Sequence, residues 1–356
     1  MLKLPGLIDV HTHLRVPGGE YKEDFATGTA AALAGGFTLI LAMPNTTPPL
    51  ATPQVLQETR QKAQRAIHCD VGLFAGASPD QLDQLPGLAA EAVALKIYLN
   101  DTFGPLRVED LPTLTTCFQT WPRSKMIAMH AEGQSVAVGL GLAATYNRPV
   151  HFCHISRRAE IELIATAKQQ GLPVTCEVTP HHLFMTQTHT ELLGPLADMR
   201  PKLAPQEDVD ALWDHLNTTI DCIATDHAPH TLAEKHSPDP PPGVAGLETS
   251  LPLMLTAVQQ GRLTLERLVE LMSTNPRRIF NLPEQPDTYI EVDDQARYSI
   301  SNTELHSKCG WTPFDGVSVT GHVQRVVLRG EIVFDASRPG VQDRILAKPG
   351  SGQVLG

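Results

Sequence analysis

Gly6-Leu7-Ile8-Asp9-Val10-His11-Thr12-His13 is a short apolar run that ends on two histidines. It is strand length and rich in branched aliphatics, as expected of a parallel strand covered on both faces. His11 and His13 stand two residues apart, so on a strand both imidazoles face the same side. Alone, such a pair says little, because two histidines on one strand face are commonly packing or surface residues. The recurrence of the design decides the fold. Further apolar runs lie at 37–43, 70–76, 92–99, 125–129, 149–155, 173–178 and 220–225, with helix-like stretches such as 25–35, 53–66, 134–145 and 157–170 between them. Eight strand units with helical crossovers predict an α/β fold, a (β/α)8 TIM barrel, with an open doubly wound sheet as the alternative pattern.

The polar residues of these runs gather at their ends. His11 and His13 follow the first run and Asn45 the second; Lys96 lies late in the fourth, and His130 ends the fifth. His154 closes the sixth, Glu177 and His181 belong to the seventh, and Asp226 follows the eighth. Barrel enzymes collect their chemistry at the C-terminal ends of strands, where the βα loops converge. Four imidazoles and a carboxylate meeting on one rim suit zinc or a similar divalent ion. Lys96 is the odd member, since a charged lysine inside an apolar run is costly and burial depresses its pKa. It either snorkels to the strand end or, as a neutral amine, takes up CO2 to become a carbamate that could bridge two metals.

Composition excludes several classes. The 356 residues are 42% hydrophobic, enough for a large core, and suit one barrel of about 250 residues with a modest appendage. A net charge of −11 without a lysine or arginine block argues against nucleic acid or an anionic membrane as the main partner. No apolar run approaches the roughly 20 residues that span a bilayer, and Asp9 and His11 interrupt the first one, unlike a secretory signal. Six scattered cysteines, each alone, predict buried thiols in a reducing cytoplasm rather than a disulfide framework.

Several motifs in this order resemble the amidohydrolase superfamily. They are His11-Thr12-His13-Leu14-Arg15, Met43-Pro44-Asn45-Thr46, Leu95-Lys96-Ile97-Tyr98, His130-Ala131-Glu132 and Asp226-His227-Ala228-Pro229-His230. In detail they resemble the dihydroorotases, above all the dihydroorotase domain of the trifunctional pyrimidine-synthesis protein of animals. The likeness extends over Lys22-Glu23-Asp24-Phe25, residues 176–183, Pro240-Pro241-Pro242-Gly243 and residues 275–280. One departure is Val16, where the family usually has glutamate; it carries no ligand role.

The resemblance implies reversible cyclisation of N-carbamoyl-L-aspartate to L-dihydroorotate in pyrimidine biosynthesis. It implies two zinc ions bridged by carboxylated Lys96, one held by His11, His13 and Asp226 and the other by His130 and His154. A third metal position near Cys153 and Glu177 is also implied, although Cys153 could equally pack the core and Glu177 support a ligand. Asp226 would be the general acid/base. Arg15 and Asn45 would bind the substrate carboxylate, its guanidinium being suited to that by shape, while Arg200, His230, Pro242 and Gly243 contact the ring. Thr102 and Phe103, in the loop after Lys96, would touch substrate as a lid; a plain turn is the alternative. The family further implies a homodimer, fused to or assembled with carbamoyl-phosphate synthetase and aspartate transcarbamoylase. Two rivals remain: another cyclic amidase (dihydropyrimidinase, hydantoinase or allantoinase), and a non-catalytic scaffold homologue.

After residue 282 the pattern changes. Residues 288–300 and 317–334 alternate apolar and polar like antiparallel strands. The expected division is a barrel over 1–285, a small β appendage over 286–340 drawn from the C-terminal segment, and a Pro/Gly-rich tail or linker over 341–356.

Overall fold

The computed structural model describes residues 1–101 and 104–356. Strand β1 (Leu2–Pro5) precedes β2 (Leu7–Thr12), β3 (Phe37–Ala42), β4 (Asp70–Gly76) and β5 (Ala94–Tyr98). These are followed by β6 (Met126–His130), β7 (Val150–Phe152), β8 (Val174–Val178) and β9 (Cys222–Ile223). Strands β2 to β9 stand side by side in chain order, each parallel to the next. This is the expected barrel, nearly closed and wrapped by helices. Every residue of β2, β3, β4 and β5 is buried. Burial on both faces is why they read as continuous apolar runs.

Local sequence explains the crossovers. In the helix Pro53–Ala66, Thr52 accepts from the Val55 N–H, Pro53 occupies the first turn, and Leu56, Thr59 and Ala63 form the buried face. The stretches read as helical at 25–35, 134–145 and 157–170 form the helices Phe25–Ala34, Gln134–Tyr146 and Arg158–Gln169.

The seam between β9 and β2 is built differently. β9 is two residues long, and beyond it the Asp9 side chain takes over: Thr225 donates its N–H to Oδ1 (3.1 Å) and its hydroxyl to Oδ2 (2.5 Å). One turn higher the His13 N–H donates to the His227 carbonyl at 2.8 Å. The barrel thus closes through the Asp9 side chain and one parallel backbone bridge, Thr12 with His227, at the level where the polar strand ends begin.

The appendage is a four-stranded antiparallel sheet in the order β1, β10 (Tyr289–Ser299), β11 (Ser318–Leu328) and β12 (Glu331–Asp335). Residues 317–334 read as one alternating stretch, and Arg329-Gly330 fold it into a hairpin. The sheet is not drawn from the C-terminal segment alone, because Leu2–Pro5 adds its edge strand by pairing with Tyr289–Val292. Nor does 341–356 hang loose. β5 pairs β4 only over Phe74–Gly76, and Val354–Leu355 (β13) fills the remaining edge beside Val71 and Gly72. An exposed strand edge carries unpaired N–H and C=O groups, so an available segment docks there.

Asp70, 2% exposed, joins all three parts. It takes both Nη atoms of Arg329 (2.7 and 3.0 Å), the Gln353 N–H (2.8 Å) and the Gln285 amide (2.8 Å). Removing one member of a buried charge pair leaves the other unpaired. D70A should therefore lower unfolding stability by about 2–4 kcal/mol, measured by urea titration.

Candidate active site

His11 and His13 enter the mouth from β2, and both Nε2 atoms converge on one oxygen. They lie 3.4 and 3.0 Å from Asp226 Oδ1. Each ring is fixed from behind: His11 Nδ1 is 2.5 Å from Glu177 Oε1, and His13 Nδ1 is 2.8 Å from Asn45 Oδ1. Such outer partners set the tautomer and aim of a ligating imidazole. His130, at the end of β6, brings Nδ1 within 2.9 Å of His154 Nε2 from the loop after β7. Lys96 is fully buried below them, its Nζ 2.8 Å from Cys153 Sγ, and among the described residues no carboxylate lies within 4.0 Å of that nitrogen.

Three of these positions hold unusual backbone. Arg15, His154 and Asp226 have φ of +59°, +34° and +47°. Left-handed backbone is disfavoured outside glycine and gathers at functional sites, where the surroundings enforce it.

Burial pushes His13 down to about 4 and lowers His130 and His154 as well, the direction that frees ring nitrogens for a metal. Burial alone would raise the Asp226 carboxyl, but His11, His13 and His154 hold it well below the usual carboxylate range. Glu177 is likewise kept ionised by His11 and His151 against its burial. Two groups of possible ligand atoms lie within 4.8 Å of one another: His11, His13 and Asp226, and His11, Cys153 and Glu177.

Above this floor stands a second wall. Arg15 is 7% exposed; its Nε donates to Pro229 O (3.1 Å) and its Nη2 lies 2.9 Å from His230 Nε2. Asn45, Arg200, Pro242 and Gly243 line the same cavity, with His230 behind Arg15. Thr102 and Phe103, expected as lid residues, lie outside the described residues. His181 sits not on β8 but in the short helix Pro180–Phe184 that follows, because Thr179 caps that helix there. Sequence reading missed Tyr98, which lines the cavity. It shares a strand face with Lys96 two residues before, a signal that period-2 alternation carries.

Residues 2–101 match the model of the amidohydrolase family. The chain is 49% identical over 354 residues to the multifunctional protein CAD of Squalus acanthias, covering 99% of this chain and 16% of that protein. It is 33% identical over 365 residues to a dihydroorotase of Pyrococcus furiosus, covering 99% of this chain and 84% of that one. The chain belongs to the dihydroorotase family. Among solved structures, the L-hydantoinase (dihydropyrimidinase) from Arthrobacter aurescens matches with a TM-score of 0.93 and 26% identity, covering 99% of this chain and 88% of that one. The inactive dihydroorotase-like domain of a Chaetomium thermophilum CAD-like multifunctional protein matches with a TM-score of 0.83 and 28% identity, covering 100% and 99%.

In this dihydroorotase-family chain the Pro242–Gly243 wall depends on a buried lysine that no sequence pattern marks. Gly243 has φ +136°, and a Cβ there would meet Ala228 O at 2.5 Å, so backbone can approach the cavity only with glycine. Lys235 Nζ donates to Asp198 O, Pro241 O and Gly243 O at 3.1, 3.0 and 3.1 Å, pinning the loop. Burial lowers its pKa from 10.5 to about 8. Between those values the unfolded chain keeps a proton that the native protein has released, so native stability rises with pH across that window. K235M should abolish this rise and cost about 1–3 kcal/mol for the stranded carbonyls. Urea unfolding of both proteins from neutral pH through that window checks both effects.

Proposed function

We propose that this chain is a dihydroorotase that interconverts N-carbamoyl-L-aspartate and L-dihydroorotate. One observation carries the reading: a buried arginine with an asparagine faces the same cavity as a carboxylate held between two histidines. The family membership stands beside it.

The donor set fits two zinc ions. His11, His13 and Asp226 would hold one, His130 and His154 the other, with a carbamate on Lys96 between them. Burial lowers the pKa of three of these rings, and Lys96 is fully buried with a thiol neighbour and no counter-ion within 4.0 Å among the described residues. When bound, the ions would supply Lewis acidity and lower the pKa of water. Glu177 already accepts from His11 and His151, and from the His154 N–H, which supports a role in orienting His11. A third ion beside Cys153 and Glu177 would have to share those contacts.

The residues divide the work. Arg15 and Asn45 take the substrate carboxylate, the guanidinium as a fork and the amide through its nitrogen, since its oxygen meets His13. Arg200, His230 and the Pro242–Gly243 backbone hold the ring, with Thr102 and Phe103 closing over it. In hydrolysis, water oxygen bonds to the ring carbonyl carbon while Asp226 accepts the proton. Asp226 then delivers it to the ring nitrogen as the carbon–nitrogen bond breaks. Cyclisation runs these steps backwards.

The wall formed by Arg15 favours a carboxylate-bearing substrate over the neutral rings of the other cyclic amidases. The full ligand set favours catalysis over a scaffold role. The likeness to one sixth of a multifunctional protein supports work as one unit of a larger protein; the proposed partners are carbamoyl-phosphate synthetase and aspartate transcarbamoylase, with the chain as a homodimer. No helix among the described residues is long and apolar enough to cross a membrane; the proposed setting is the cytoplasm.

Turnover of dihydroorotate, dihydrouracil and allantoin, paired with metal analysis, tests the proposal. Dihydroorotate should be the preferred substrate and zinc should be bound; preference for dihydrouracil would overturn the reading. D226N should lose about 10²–10⁴-fold in kcat, with zinc content measured alongside, and near-normal turnover with zinc bound would remove Asp226 from this role. R15K should raise KM for dihydroorotate by about tenfold or more.

A further inference from the structure

Asp226 keeps its carboxylate on target from a left-handed backbone, and something must enforce that conformation. Its neighbour His227 is tied at four points. The His227 N–H donates to Thr225 Oγ1 (2.9 Å), and its carbonyl accepts from the His13 N–H (2.8 Å). Its ring nitrogens are both engaged: Gly246 N–H donates to Nδ1 at 3.2 Å, and Nε2 faces Glu23 Oε2 at 3.3 Å. Because Nδ1 accepts, the ring proton is on Nε2 and Glu23 is its acceptor.

Glu23 is fully buried and lies just ahead of the helix Phe25–Ala34. Besides His227 it accepts from the Ser307 hydroxyl at 2.6 Å, from the Lys308 N–H at 3.2 Å, and from Thr27. Ser307 belongs to the segment between β10 and β11. Its own N–H donates to Glu248 Oε2 (3.1 Å), and the preceding His306 donates its N–H to Glu248 Oε1 (2.8 Å). Glu248 stands in the first turn of the helix Leu247–Gln259, which Gly246 caps. The contacts therefore close a ring: Glu23 to Ser307, Ser307 to Glu248, along the helix start to Gly246, then to His227 and back to Glu23. Buried networks with every member paired hold one arrangement, whereas removing a member leaves a costly orphan.

We infer that Glu23 is a positioning residue for Asp226. It acts through the His227 ring, and Ser307 carries the same support from the segment that joins β10 to β11 of the appendage. Without Glu23 the His227 Nε2–H loses its acceptor, the peptide it anchors loosens, and Asp226 relaxes from the left-handed region and carries its carboxylate off line. The inference rests on the proton-carrying role proposed for Asp226.

The test is a double-mutant cycle of E23A with D226N, read as kcat, KM and zinc content, with a crystal structure of E23A. A misplacement of about 1 Å costs on the order of 10²-fold. E23A should therefore lose about 10²-fold in kcat with KM retained, and its structure should show Asp226 moved. E23Q, which keeps an acceptor for His227, should restore most of the loss, and S307A should show a smaller fall than E23A. In the D226N background E23A should cost less than about threefold, because its effect runs through the carboxylate already removed. An equal loss in both backgrounds, or a loss of substrate affinity in place of kcat, overturns the inference. If E23A does not fold, S307A combined with D226N makes the same comparison. If the wild-type chain does not turn over dihydroorotate, the functional reading fails, and the cycle is run on whichever cyclic amide it does hydrolyse. An active wild type with an unaffected E23A defeats the positioning role alone.

Discussion

Side-chain closure of the barrel between β9 and β2 is the constraint on which the rest of the molecule turns. The Asp9 carboxyl lies wholly inside the protein, where burial pushes it up to about 7 even though it receives three donors, from Thr225 and from the His11 N–H. Those bonds replace the ladder that β9 is too short to make. They also place Thr225, Asp226 and His227 directly opposite His11, Thr12 and His13. A closed ladder would direct side chains alternately in and out; the seam instead lets Asp226 adopt a left-handed backbone and turn its carboxylate toward two imidazoles.

The electrostatics follow from that arrangement. Burial lowers the pKa of the His13, His130 and His154 imidazoles, while Asp226 and Glu177 are held below the usual carboxylate range because each faces ring nitrogens on more than one side. Glu177 shows how one buried acceptor can serve several groups: it meets His11, His151 and the His154 N–H, so β2, β7 and the loop after β7 share one anion. A site built this way is rigid before any ligand arrives, which is what catalysis through fixed groups requires.

Much of this was legible in the sequence. The ends of the apolar runs named His11, His13, Lys96, His130, His154 and Asp226, and the structure brings these residues to one mouth. Arg15 and Asn45 came from motifs next to those ends and line the same cavity. The reading failed where contacts were distant in the chain. Nothing local marks Leu2–Pro5 as an edge strand of a sheet built mostly after residue 288, and nothing in a Pro/Gly-rich terminus announces that Val354–Leu355 will dock on β4.

The sequence by itself determined the barrel and the chemistry at its rim, because burial on both faces writes continuous apolar runs into each strand and parallel order places all their ends together. Those are short-range signals, readable within about ten residues. Only the tertiary structure decided which groups act on each other: that Glu177 backs His11, that Lys235 pins the Gly243 wall, and that Glu23 reaches His227 across 204 positions of chain. Such pairs depend on packing between elements, and no periodicity of the chain encodes them.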